Sequence, residues 1–194
     1  METLFPVPSR FPEGFNYTPD FITADEESFL LDEIKKITLH TFHFQGFEAK
    51  RKVASFGYDY NFERKRLSKG NPIPVAFNGL LEKVAAYLTI PTGDFAELLV
   101  TEYPTGSVIN WHRDAFPFDV VAGISLLSDC TFRLRPHDKA RQERSAIISF
   151  PVHKRSLYIM RDDARIGWQH SIAPVKNIRY SITLRTLRQP DVQD

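Results

Sequence analysis

From Phe95 to the end, turn residues recur so often that only short strands fit between them. Candidate strands run over 96–103, 108–112, 119–127, 130–135, 144–150, 155–161, 166–171 and 178–188. Short strands separated by regular turn signals suggest a sandwich or a jelly roll, folds that pair or shield their strand edges. The last strand is Arg179-Tyr180-Ser181-Ile182-Thr183-Leu184-Arg185. Side chains alternate along a strand, so Arg179, Ser181, Thr183 and Arg185 share one face and Tyr180, Ile182 and Leu184 take the other.

The first half reads differently. Residues 1–20, rich in Pro and Phe, are expected to pack as an extended arm. Thr23-Ala24-Asp25-Glu26 fits a capping box, with Thr23 as N-cap and Glu26 at N3. The helix it opens is expected to reach about Leu39, with Phe29, Leu30, Ile34 and Ile37 as its apolar stripe. A second helix starts after Pro72 or Pro74, since Phe77, Leu80, Leu81, Val84, Ala85 and Leu88 follow helical spacing, and Pro91 and Gly93 stop it. Between them, residues 40–71 are polar, aromatic and basic, and are expected to form short strands joined by a flexible loop. The plan is a single α+β domain over 1–194. Its helical N-terminal part spans 1–94 and its β-core spans 95–190.

A hydrophobic content of 42% and a charged content of 25% fit an ordinary soluble globular chain. The net charge of +1 points to no partner by itself, so a nucleic-acid binder would need a local basic patch. The single cysteine, Cys130, excludes an internal disulfide and any multi-cysteine metal site, and reads as a small core residue. The N-terminus has neither a basic region nor a long apolar stretch, so no signal peptide or membrane span is expected, and the cytoplasm is the default location.

The chemistry sits in the β-rich half. His112, Asp114 and His170 are two histidines and a carboxylate, the ligand set of a non-heme Fe(II) oxygenase that leaves the remaining metal positions open. The His-x-Asp triplet is weak alone; its weight comes from lying at strand ends just before the paired arginines. A buried arginine is costly unless an anion meets it, and arginine cannot deprotonate. Two arginines on one inward face therefore call for negative charge. Bound 2-oxoglutarate supplies two carboxylates and can chelate iron. Tyr103 is placed to donate a hydrogen bond from a neighbouring strand, or simply to pack on the turn after it.

Thr101-Glu102-Tyr103-Pro104-Thr105-Gly106, Trp111-His112-Arg113-Asp114, Trp168-Gln169-His170-Ser171-Ile172 and Arg179 through Arg185 together resemble the AlkB family of Fe(II)/2-oxoglutarate dioxygenases. The likeness runs from about residue 96 to the end. It implies a double-stranded β-helix (jelly-roll) core with N-terminal helices and a nucleotide-recognition lid. It implies that His112, Asp114 and His170 bind Fe(II). It implies that Arg179, aided by Tyr103, pairs with the distal carboxylate of 2-oxoglutarate, and that Arg185 lies near the metal-bound end in a catalytic role. The implied activity is oxidative N-demethylation of nucleobases with O2, in repair of alkylated DNA or RNA. A monomer acting on methylated single strands is expected. Thr101 and Ser181 stand where DNA-repairing members often carry Asn, and Phe116 stands where many carry a base-reading acid. Asp119 is a possible substitute for that acid.

An enzyme acting on a base must take it out of the stack, which needs a cationic track and aromatic faces. Residues 53–62 resemble the family's lid, with Tyr58 and Tyr60 as candidate base contacts and Lys50, Arg51, Lys52, Arg64, Lys65, Arg66 and Lys69 around them; the same pattern also fits a hairpin covering the core. Residues 133–144 read either as a hairpin gripping phosphates or as a charged surface turn. Phe116 and Phe118 could line the substrate mouth or pack. Trp168 shares the parity of His170, whereas Trp111 alternates away from His112 and reads as core. A 2-oxoglutarate hydroxylase of a protein side chain or small molecule is the alternative function. A catalytically silent nucleic-acid-binding module is a third.

Overall fold

In the computed structural model, residues 11–44, 47–61 and 66–188 are described. Residues 1–10 of the expected arm, and Phe62, Arg64 and Lys65 of the basic segment, lie outside them. The first half contains β1 (Phe15–Thr18), α1 (Ala24–Lys35), β2 (His40–Phe44), β3 (Phe47–Asn61), β4 (Arg66–Lys69) and α2 (Asn78–Leu88). The second half contains β5 (Phe95–Tyr103), β6 (Ile109–His112), β7 (Phe118–Leu126), β8 (Cys130–Pro136), β9 (Ile148–Val152), β10 (Leu157–Met160), α3 (Asp162–Ile166), β11 (Trp168–Ile172) and β12 (Arg179–Leu187).

The described strands form two sheets. The large one runs β1-β10-β7-β12-β5-β3-β2, with β4 paired to β3, and the small one runs β6-β11-β8-β9. Every strand pairing among the described residues is antiparallel, as in a double-stranded β-helix. Alternation then divides the core. Leu98, Val100, Ile124, Ile182 and Leu184 pack outward against Leu30 and Ile34 of α1 and Leu80, Leu81 and Val84 of α2. Tyr103, Val121, Phe132, Leu134, Phe150 and Tyr158 gather in a second cluster, to which both sheets contribute. The polar face of β12 points away from the helices, toward this inner space.

The Thr23 capping box is present: Glu26 N–H donates to the Thr23 hydroxyl and Thr23 N–H to the Glu26 carboxylate. α1 nevertheless ends at Lys35, short of Leu39, and Phe29 is exposed. α2 stops at Thr89, in a left-handed conformation with φ 58°, before Pro91 is reached. The region expected as short strands and a loop contains one strand of 15 residues, β3, paired with β2, β5 and β4. It leaves β5 at Gly57, where φ is +85° and a Cβ would lie 2.1 Å from the Ala96 carbonyl oxygen. Only glycine fits there. α3, between β10 and β11, was not expected. No described helix is long and apolar enough to cross a membrane.

Candidate active site

β6 and β11 are neighbours in the small sheet, and their register sets His112 opposite His170. The two imidazole centroids are 4.1 Å apart. Asp114 follows two residues after β6, in a turn gripped by buried Arg165. The Nη2 of Arg165 donates to the carbonyl oxygens of Asp114 (3.2 Å), Ala115 (2.6 Å) and Phe118 (2.9 Å). One ligand atom from each of His112, Asp114 and His170 lies within 4.8 Å of the others. His112 Nδ1 is 2.9 Å from the Asn110 carbonyl oxygen. A carbonyl only accepts, so Nδ1 carries the proton and Nε2 keeps its lone pair for a metal.

Charge states favour ligation. Burial pushes both histidines down, His170 to about 3, so both imidazoles are neutral at ordinary pH. Burial alone would raise the Asp114 carboxyl, but the Arg185 guanidinium, with Arg165 adding to it, holds it well below the usual carboxylate range. Its Oδ2 is buried without a hydrogen-bond partner, 3.6 Å from His170 Nε2. An unpartnered anionic oxygen beside two neutral imidazoles fits a divalent metal such as Fe(II).

The inward face of β12 completes the site. Arg185 donates from Nη2 to Asp114 Oδ1 at 2.5 Å, and from Nη1 to the Glu97 carboxylate. Burial alone would weaken its cationic form, but these two carboxylates raise its pKa. Arg179 is a different kind of cation. It is 1% exposed, its Nε donates to Ser125 Oγ at 3.1 Å, and its guanidinium stacks over Tyr103 at 4.8 Å. It has no carboxylate partner among the described residues, and its Nη1 has no acceptor. Tyr103 lies opposite Arg179 across the β5–β12 pairing, with its hydroxyl 3.3 Å from Ser181 Oγ. Thr101 lies opposite Ser181, and both are buried. The inner face therefore holds the Arg179 guanidinium, without a carboxylate partner among the described residues, on the strand whose Arg185 supports Asp114, and the Tyr103 hydroxyl on the neighbouring β5. This arrangement suits a dicarboxylate.

Several site residues were not singled out from the sequence. Glu97 carried a signal, since it shares the parity of Tyr103 on β5. Arg165 carried none, because it lies in a helix of five residues that no pattern announced. Tyr158 is buried on β10, its ring filling the space left by Gly123, where a Cβ would sit 2.1 Å from it. Burial pushes its phenol up, with Tyr103 adding to the shift and Arg179 opposing it. Arg51 was read only as one of a basic run. It is half-buried, stacks over Phe42 at 4.1 Å, and lies close enough to His112 to depress it further.

Of the substrate candidates, Tyr58 and Tyr60 lie in the β3–β4 hairpin, whereas Phe116 lies in the turn after β6. Phe116 is 74% exposed, with Arg188 over its ring at 4.6 Å. Tyr58, Lys69, Asp119 and Arg188 line a groove of about 870 Å³ at the end of the large sheet, and none of the three metal-ligand candidates lines it. Tyr60 pairs with Leu67 in the β3–β4 hairpin. Trp168 borders the inner cluster and donates to Asp163 Oδ2 at 3.0 Å. Trp111 is not core: it lies under the guanidinium groups of Arg133 and Arg135.

Residues 18–188 match the family model of the 2OG-Fe(II) oxygenase superfamily. The uncharacterized protein L905 of Acanthamoeba polyphaga mimivirus is 26% identical over 93% of this chain and 88% of its own. Mouse ALKBH8, a tRNA (carboxymethyluridine(34)-5-O)-methyltransferase, is 25% identical over 85% of this chain, which spans only 25% of that protein. OsALKBH1 shares the fold with a TM-score of 0.73 at 12% identity, covering 92% of this chain and 99% of its own. A Pseudomonas putida prolyl-4-hydroxylase does so with a TM-score of 0.62 at 16% identity, covering 91% and 94%. The family uses Fe(II), 2-oxoglutarate and O2, and the triad and the unpaired Arg179 fit that requirement. The chain belongs to the 2OG-Fe(II) oxygenase superfamily, with AlkB-like proteins among its relatives.

Proposed function

We propose that this dioxygenase removes N-alkyl groups from nucleobases in DNA or RNA, preferring single strands, in the manner of alkylation-damage repair. The observation that carries the cosubstrate half is Arg179, a buried guanidinium with no carboxylate partner among the described residues, on the face that supports Asp114. In this reading His112, Asp114 and His170 hold the metal. Arg185 keeps Asp114 ionised and oriented, and Glu97 holds Arg185. Arg179 and Tyr103 take the distal carboxylate of 2-oxoglutarate. Fe(II) with 2-oxoglutarate supplies O2-driven oxidation of a C–H bond, with succinate and CO2 as products. A hydroxylated N-methyl group then loses formaldehyde and leaves N–H on the base. The nucleobase half is supported by kinship with AlkB-like proteins and by the groove where aromatic Tyr58 meets the charged Lys69, Asp119 and Arg188. Asp119 is the acid available there to a base edge, in place of the acid absent at Phe116.

The test is formaldehyde release from methylated DNA and RNA oligonucleotides, with methylated nucleosides and peptides as controls. Release from an oligonucleotide in stoichiometry with succinate is expected. Release only from peptides or small molecules would refute the proposal. The exposed phenyl ring at Phe116, where an acid would read a base, favours that second reading: a 2-oxoglutarate hydroxylase of a protein side chain or small molecule.

A further inference from the structure

The small sheet has two faces, and the metal-ligand candidates use only one. His112 on β6 and His170 on β11 point inward, so Trp111, Gln169 and Ser171 point outward beside Arg133 and Arg135 of β8. Arg133 is the register partner of Ser171 and Arg135 that of Gln169. Each pair is bonded through the guanidinium Nε: Arg133 to Ser171 Oγ at 3.0 Å, Arg135 to Gln169 Oε1 at 2.7 Å. Trp111, on the far side of β11, lays its indole across that strand to both guanidiniums, at 5.1 and 4.5 Å. Gln142 donates to Gln169 and to the carbonyl oxygens of Pro136 and His137, tying the loop that carries exposed Lys139, Arg141 and Arg144 to the same face.

Neither Arg133 nor Arg135 has a carboxylate within ion-pair distance among the described residues. Their Nη groups make no hydrogen bond there either. A surface arginine placed for stability normally finds an acid or swings free in water. These two are each bonded through Nε and stacked on the indole, and among the described residues the outer edge of each fork meets no acceptor. A fixed fork of this kind matches oxygen anions bidentately. The cations stand side by side on one strand, as successive charges on a linear polyanion require.

We propose that this outer face, Arg133 and Arg135 mounted on Trp111, is a docking track for the phosphodiester backbone of the strand whose base enters the site. The proposal rests on the nucleic-acid reading above. β6 is the edge of the small sheet and carries both Trp111 and His112, so a strand rounding that edge passes from the metal side to the arginines. The contacts are to phosphates away from the reacting base. They set affinity and register without selecting the base.

The experiment measures binding of DNA and RNA strands of about 16 nucleotides and the same sequence across ionic strength. It compares wild type with the Arg133→Gln/Arg135→Gln protein. Each phosphate contact on a single strand contributes about 0.7 to the slope of log affinity against log salt, so the slope should fall by about 1.4. Demethylation of the long strand should show a raised KM, while a methylated dinucleotide and uncoupled 2-oxoglutarate turnover are unchanged. If wild type demethylates and binds strands but the variant keeps the same slope, the track is wrong and the nucleic-acid reading stands. If wild type neither binds nor demethylates any strand, both fall. A second measurement leaves the arginines intact. The chain has two tryptophans, so Trp168→Phe makes Trp111 the sole indole. Saturation with a long strand should shift its emission, and the dinucleotide should not. No shift, or one caused by an acidic polypeptide and not by either strand, would overturn the proposal.

Discussion

Arg179→Met is the most direct test of the cosubstrate end. The methionine keeps an unbranched chain in a site that is 1% exposed, and removes a cation whose Nη1 has no acceptor. An unsatisfied buried donor costs about 1–3 kcal/mol. Losing the Nε bond to Ser125 and the stacking on Tyr103 works the other way, so the ligand-free protein should change stability by only about 1 kcal/mol. Binding is where the loss should fall. A desolvated charge pair deprived of one partner loses about 2–5 kcal/mol, a roughly 30- to 4,000-fold rise in Kd. The assay is thermal unfolding with a redox-inert divalent metal and increasing 2-oxoglutarate. At 100 times its Kd, 2-oxoglutarate stabilises wild type by about 2.7 kcal/mol; at the same concentration, a 30-fold weaker site yields only about 0.9 kcal/mol. Arg179→Lys should recover part of the difference, because lysine restores the charge without the planar fork. An Arg179→Met protein that 2-oxoglutarate stabilises as strongly as wild type would show that the strand does not receive the cosubstrate.

Three further outcomes are expected. Asp114→Ala should abolish 2-oxoglutarate turnover and lower Co(II) affinity while preserving the circular dichroism spectrum; full turnover would remove the metal assignment. Glu97→Gln leaves Arg185 with one carboxylate and should cost about 1.5–3 kcal/mol in urea unfolding, the worth of a charged hydrogen bond, whereas an unshifted midpoint would show that Glu97 is dispensable. Tyr58→Ala should weaken oligonucleotide binding by about 1–3 kcal/mol and spare uncoupled 2-oxoglutarate oxidation; equal losses in both would show structural damage rather than a lost base contact.

What could be read from the sequence follows from which forces are local. The two faces of β12 were visible because a period of two is written directly in the residues, and Ile182 and Leu184 do face the helices while Arg179 and Ser181 are buried inward. The capping box and the stripe of α2 were legible for the same reason. The length of β3 was not, because its hydrogen bonds go to β2, β4 and β5, far away in sequence, and its polar residues hide the strand. His112, Asp114 and His170 could be named as a set, but the roles of Glu97 and Arg165 depend on contacts made across the fold. Trp111 shows the limit of parity: alternation placed it away from His112, yet only the register of β6, β11 and β8 shows that two arginines cover it.

Gly57 has an architectural consequence. β3 is one continuous strand, but its first part is stitched to β5, which carries Glu97 and Tyr103, and its last part belongs to the hairpin carrying Tyr58 and Tyr60. The junction is one residue whose backbone admits no side chain. The hairpin can therefore lengthen, shorten or change composition while its attachment angle is kept by a single glycine and the ligand face stays in register. Substitutions along the hairpin can then accumulate without disturbing the oxidising face, provided that this one position is left alone.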